Sequence, residues 1–301
     1  MTLTVGTDSA GGYLTRSAYD KVQELVYKYG LARKILPIVR LDTDKIDLPN
    51  SDSSGVTAYF VSEAGSVTAS EPTFSQTTLA MKKLRVKVPI SQELIDDAEE
   101  DVENYVLEMM ANAIALKEDT AIFKSGGVSG SGVTSFINTS NIESKDLDGA
   151  YLDPDDISLA IATLEGNGAN RSNMVLVVHP LTAHYLRTLK DNNNNYLFNT
   201  LNAGNPILQT GAIGQIMGVP VYTTPVFGTA TEQDSQSQNF TGTDALLFDK
   251  NAAALFVRKD MYRERDKNYD TDVWNIYLTE RMNFNVRHPK GVYHFDKVKV
   301  A

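Results

Sequence analysis

Between Trp274 and Val286 the apolar residues occupy every second position. Trp274, Ile276, Leu278, Met282, Phe284 and Val286 alternate with Asn275, Thr279, Arg281, Asn283 and Asn285. Successive side chains of a strand point to opposite faces, so this run has one dry face and one wetter one. Residues 274–286 make 13 positions, more than double the usual strand of about 5–6 residues. Glu280 falls on the dry face. A buried carboxylate costs several kcal/mol unless it is paired. A structural ion pair with a basic partner is therefore expected at Glu280, rather than a catalytic acid.

Two further segments are long for a globular chain. From Ser91 to Lys124 the pattern is helical in two pieces, with Ser91 as N-cap of the first. The second starts near Asp101 and has no internal Gly or Pro. Its apolar stripe reads Val102, Val106, Met109, Ala113 and Leu116, widened by Tyr105, Met110 and Ile114. The methionines are read as packing residues. Before this helix, residues 42–90 read as a β-ribbon with a loose tip. Val56–Val61 is strand material, Ser62–Pro72 is small and polar, and Thr73–Ile90 returns as strand. Leu84, Val86, Val88 and Ile90 alternate with Lys83, Arg85 and Lys87. A lone two-stranded ribbon is marginal in water. Tyr59, Phe60 and Phe74 would each gain about 1.5–3 kcal/mol from burial. Either the body of the protein or a neighbouring subunit must cover them.

The rest alternates helix and strand. Residues 1–12 read as a loose arm and 16–29 as a helix closed by Gly30. Residues 125–150 read as a polar loop. Asp153-Pro154 opens a helix through Ile157, Ala160, Ile161 and Leu164. Met174–Val178 is a strand buried on both faces, and Pro180 starts another helix. Met217-Gly218 turns the chain into Val219–Tyr222. Residues 228–243 read as an exposed loop, and Ala245–Phe248 as a short strand.

Chemistry-bearing patterns are missing. The chain has no cysteine, which removes disulfides, thiolate catalysis and zinc–cysteine sites. His179, His184, His288 and His294 form no HExxH, and each is read as a structural or surface residue. The glycine-rich stretch 126–132 lacks the Lys-Ser/Thr of a phosphate loop and the spacing of a nucleophile elbow. No catalytic, cofactor or metal residue is assigned, and no enzyme is expected. No run reaches the length of a membrane span. Lys plus Arg number 28 against 38 Asp plus Glu, a net charge of -10. That balance opposes sequence-independent binding to nucleic acid through a basic surface.

The order of parts is a loose arm, a projecting ribbon, a long helix, an α/β body and a very long strand. It resembles the major capsid proteins of tailed bacteriophages, of the Hong Kong 97 type. The resemblance is carried by Gly11-Gly12-Tyr13-Leu14, by Glu63 to Ser75, and by Ile90-Ser91-Gln92-Glu93-Leu94-Ile95-Asp96-Asp97. It continues through Ala115-Leu116-Lys117-Glu118-Asp119 with Phe123 and Gly126. Further along it includes His179-Pro180, Leu189-Lys190-Asp191, Tyr196-Leu197, Met217-Gly218-Val219-Pro220-Val221, Asp266 and Thr279-Glu280-Arg281.

The resemblance implies an α+β fold of four parts. These are an N-terminal arm and helix (1–41), an extended loop (42–90), a peripheral domain with a spine helix (91–150 and 251–286) and an axial domain (151–250 and 287–301). It implies a homo-oligomer of hexamers and pentamers forming an icosahedral shell. That shell would enclose double-stranded DNA held without sequence-specific contacts. A portal and a scaffold or maturation protease are its implied partners, with assembly in the host cytoplasm and residence in the virion. The alternative is an encapsulin-like nanocompartment shell. The extended loop would lie on an adjacent subunit and so cover Tyr59, Phe60 and Phe74. Some relatives crosslink through a lysine near the loop tip. The corresponding position is about Val67, which has no amine, so no such crosslink is expected. The chain begins close to the mature-like arm, so scaffolding is expected to be separate, dispensable or removed.

Overall fold

The computed structural model describes residues 30–51, 60–61, 74–97, 102–124, 132–190, 193–194, 196 and 211–300. The arm, the helix read over 16–29, Tyr59, Val67 and the tip of the ribbon lie outside the described residues. The elements in chain order are α1 (Ala32–Ile35), β1 (Ile38–Arg40), β2 (Lys45–Ser51), β3 (Phe74–Ala80), β4 (Lys82–Ser91), α2 (Gln92–Asp97), α3 (Val102–Phe123) and β5 (Glu143–Asp146). They continue with α4 (Pro154–Gly166), β6 (Met174–Val178), α5 (Pro180–Thr188), β7 (Gly214–Ile216), β8 (Val219–Thr223) and β9 (Ala230–Gln233). The chain closes with β10 (Asn239–Asp249), β11 (Ala253–Asn268), β12 (Val273–Val286) and β13 (Val292–Lys299).

Two sheets organise the body. The first has four strands in the order β1-β11-β12-β4, with β12 antiparallel to both of its neighbours. The second has the order β5-β13-β10-β6-β8-β7, and β9 adds to β10. The chain passes between the sheets from β10 to β11 and returns from β12 to β13.

Alternation in the sequence maps onto burial. In β12, Ile276, Leu278, Met282, Phe284 and Val286 are buried, and Trp274 is half-buried. Ile276 and Leu278 pack on Leu107, Met110, Ala111 and Ile114 of α3. In β6 all five residues are buried. Met174, Leu176 and Val178 face Ile157, Ala160, Ile161 and Leu164 of α4, while Val175 and Val177 face the other core. That second core lies where the two sheets meet. At its centre the Phe136 ring stands 4.6 Å from Phe248, 4.7 Å from Phe284 and 5.8 Å from Phe123. Such aromatic pairs add to the burial of their area.

The structure departs from the sequence reading in four places. First, the ribbon is shorter than 42–90. Its described pairing joins β2 to β3 from Lys45↔Ala80 to Ser51↔Phe74. β4 instead pairs with β12 along its whole length, because its alternating apolar face needs α3 as a cover. Second, 132–150 is not only loop: Phe136 is fully buried and β5 runs parallel to β13. Third, residues 230–242 form the β9–β10 hairpin, and β10 extends 11 residues rather than four. Fourth, the core face of α3 differs from the stripe read in the sequence. Tyr105, Met109 and Leu116 are exposed, at 65%, 57% and 53%. At 3.6 residues per turn they fall within about 40° of one another, opposite Ile114. The helix is apolar on two faces, and only one meets the sheet.

Candidate functional site

The most heavily constrained side chains form an ionic group beneath the long strand. Arg33 projects from α1 into the space between α3 and β12. Its Nε donates to Glu118 Oε2 at 2.8 Å, and its Nη2 donates to Glu280 Oε1. All three residues are buried. Glu118 sits on the α3 face that packs on the sheet, and Glu280 on the dry face of β12, so the fold itself brings the two carboxylates together. The next residue on α3, Asp119, accepts from the backbone N–H of Leu31 and of Ala32, at 2.9 Å each. It thereby anchors the start of α1 to the end of α3.

Two carboxylates share one guanidinium, and this perturbs all of them. Burial pushes the Glu280 carboxyl up to about 8, helped by the Glu118 charge and opposed by Arg33. Burial also raises Glu118, against the pull of Arg33. Asp119 is pushed up to about 6 by burial, against the two N–H groups it accepts from. Glu118 Oε1 and Glu280 Oε2 have no hydrogen-bond partner among the described residues. One proton on the pair leaves a single negative charge for Arg33, which is the arrangement that low-dielectric surroundings favour. The geometry is that of a structural lock. Among the described residues, the recess beside it, lined by Leu84, Lys117, Glu118 and Met282 among others, holds about 80 Å³, well below the ~300 Å³ of ordinary ligand sites.

The ribbon leaves the body from a firmly tied base. Asp44 receives Arg258, and also Arg281 at 3.0 Å. Met81 N–H donates to the Asp44 carbonyl at 2.9 Å, and Asn283 Nδ2 donates to the Ala80 carbonyl at 2.7 Å. Leu79 packs on Ala254 and Phe256, with Ile46, Leu48 and Met81 around them. Gln76, Thr77 and Thr78 are exposed. Phe60 is fully exposed and lies in neither helix nor strand. Phe74 pairs with Ser51 at the outer end of the described ribbon.

The outer end of the long hairpin is polar and aromatic. Gln92 Oε1 accepts from Trp274 Nε1 at 2.6 Å and from Lys267 Nζ at 3.2 Å. This ties α2 to the tip of the β11–β12 pair. Arg85 lies over the Tyr277 ring at 4.1 Å. Tyr269 at the turn is exposed.

Among the described residues, the exposed apolar side chains include Phe60 and the outer face of α3. The buried ionic group ties α1 to α3 and to β12. Of the residues singled out in the sequence, Glu280 lies in this ionic group and Phe60 is exposed, whereas Tyr59 and the side chain of Phe74 lie outside the described residues. Sequence reading missed Arg33, Glu118 and the outer face of α3. An arginine and a glutamate in otherwise ordinary helical sequence carry no local mark of burial.

A family model described as the phage capsid family matches residues 11–296. The chain is 30% identical over 133 residues to the major capsid protein of Klebsiella oxytoca phage phiKO2, covering 42% of this chain and 30% of that protein. The chain thus spans less than a third of that relative in the alignment. Among solved structures it resembles the capsid of a native GTA particle, with 19% identity, a TM-score of 0.68 and 89% of each chain covered. It resembles a structure from Mycobacterium phage Adephagia with 14% identity, a TM-score of 0.64, and coverage of 90% of this chain and 88% of the other. It also resembles a virus-like particle from Pyrococcus furiosus, at 13% identity and a TM-score of 0.61, over 93% of this chain and 97% of the other. At these identities the structural likeness is one of fold.

Proposed function

The chain belongs to the phage capsid family, and from that premise we propose that it is the major head subunit of a tailed phage or prophage, closing as hexamers and pentamers around double-stranded DNA. Its fold is that of the Hong Kong 97 type capsid proteins, and its role is structural. The observation that carries the reading is the family match over nearly the whole chain, joined to the exposure of Phe60 and of Tyr105, Met109 and Leu116 on α3. The ribbon lies on an adjacent subunit, where Tyr59, Phe60 and Phe74 find their cover. The outer face of α3, with Tyr105, Met109 and Leu116, is a second contact surface. Apolar patches of this kind on soluble proteins mark interaction sites.

The peripheral domain comprises 91–150 and 251–286, and the axial domain 151–250 and 287–301. Two strands change sides from those ranges: β4 pairs with β12 and joins the peripheral sheet, and β5, inside 91–150, pairs with β13 and joins the axial sheet. DNA is enclosed without sequence reading, consistent with a net charge of -10. A portal and a scaffold or protease act with it, and assembly takes place in the host cytoplasm. The curated relative is a phage protein, which favours a genome-filled shell over a nanocompartment with protein cargo.

Purified protein examined by negative-stain microscopy and sedimentation is expected to show rings or shells. A stable monomer at low micromolar concentration overturns the proposal. Shells isolated from cells and filled with a protein instead of DNA overturn the phage reading in favour of the nanocompartment.

A further inference from the structure

Three metal-ligating side chains converge at an irregular point of the larger sheet, away from the ribbon and the ionic lock. His294 Nε2 lies 2.9 Å from Asp244 Oδ1. With Asp296, the three residues offer one ligand atom each, all within 4.8 Å of one another. The backbone produces this meeting. His294 and Asp296 stand two apart on β13 and so share a face. The β10–β13 register shifts between Thr243 and Ala245, with Lys297 at φ 51°. A bulge of this kind re-aims side chains, and here it puts Asp244 beside the other two.

The surroundings are rich in carboxylates. Glu232 on β9 has its Oε2 buried with no partner among the described residues, and the charges of Asp296, Asp244 and Asp146 all act on it. Lys297 is engaged by Asp146 at 2.6 Å. Four carboxylates therefore face one lysine and one imidazole. His294 itself is 7% exposed, whereas Lys297 and Asp146 reach the surface, with side chains exposed by 33% and 48%.

We propose that Asp244, His294 and Asp296 bind one divalent first-row transition-metal cation, with Glu232 as the neighbouring oxygen donor. An imidazole nitrogen combined with carboxylate oxygens suits zinc, manganese or cobalt, whereas calcium takes oxygen ligands alone. The cation replaces the direct His294–Asp244 contact, with ligand bonds of about 2.0–2.2 Å. It joins β10 to β13, and through Glu232 to β9. Sequence reading passed over the site because Asp244 lies 50 residues from His294 and the three residues show no motif spacing. The inference does not depend on the shell-building reading.

The test uses the full chain freed of metal by chelation and Co²⁺ as the probe, followed by equilibrium dialysis and visible absorption. One Co²⁺ per chain is expected. His294→Gln and Asp296→Asn should each weaken binding by roughly tenfold or more. His184→Gln and His288→Gln, at exposed positions, should leave it unchanged. Absence of binding to the native chain, undiminished binding in His294→Gln, or displacement of Co²⁺ by equimolar Ca²⁺ each overturns the proposal. Should the variants not fold, the native chain is loaded with Fe²⁺ and treated with ascorbate and peroxide. Backbone cleavage concentrated at 242–246 and 292–298 supports the site, and cleavage elsewhere or none overturns it.

Discussion

Replacing Arg33 by Met should be among the most damaging single changes in the body of this protein. The substitution keeps a long aliphatic stem and removes only the cation. Glu118 and Glu280, exposed by 1% and 0%, then lose the one guanidinium that both contact. Removing one partner of a buried ion pair costs about 3–5 kcal/mol, and the shared role of Arg33 puts the expected loss at the upper end. At a urea m value of about 3 kcal/mol/M the unfolding midpoint should fall by about 1.3–1.7 M.

The assay is equilibrium urea unfolding at fixed protein concentration, followed by the fluorescence of Trp274, the single tryptophan. That residue opens β12, the strand that carries Glu280. The pH dependence gives a second reading. Glu280 binds its proton more tightly folded, with a value near 8, than unfolded, near 4.5. The stability this contributes is therefore complete below about 4.5 and is lost as pH rises through 8. Without Arg33, Glu118 must also be neutral to stay buried, so the deficit of the variant should be larger at pH 8 than at pH 5. The triple change Arg33→Met, Glu118→Leu, Glu280→Leu removes every buried charge of the group and should recover at least half of the loss. A deficit below about 1 kcal/mol, or one equal at both pH values, would refute the view that the two carboxylates depend on this arginine.

Further outcomes are expected. Tyr59→Ser together with Phe74→Ser should reduce shell yield, measured by sedimentation, more than Arg40→Gln, which alters an exposed ion pair with Asp260; equal yields count against a covering role for the neighbour. Met109→Glu and Leu116→Glu should leave the unfolding free energy unchanged to within about 0.5 kcal/mol yet lower shell yield, and a folding defect without an assembly defect would place that helix face inside the subunit. Phe136→Ala should cost about 3–5 kcal/mol, read by the same urea assay, because the ring joins the aromatic residues where the two sheets meet. Shells boiled in denaturant should run as single-chain bands, since Val67 supplies no amine; a covalent ladder on the gel would contradict this.

Local pattern was enough to find most elements. Alternation over 274–286 marked β12 and its dry face, an unbroken apolar run marked β6 as doubly covered, and Asp153-Pro154 marked the start of α4. These signals are legible because strand and helix periods repeat within a few residues, and each repeat states which face seeks burial. The sequence alone also singled out Glu280 as a charge in need of a partner. What it could not contain was the partner's identity, since Arg33 lies 247 positions away. In the same way, α3 carries apolar residues on opposite faces, and only the position of β4 and β12 decides that Ile114 is core and Leu116 is surface. The loop reading of 132–150 failed at Phe136 and β5 because a single buried ring and a four-residue strand have too little periodicity to announce themselves. Hence the elements and their thirst for burial were determined locally, whereas the choice of which surfaces meet was made in three dimensions, where residues distant in the chain compete to cover the same face.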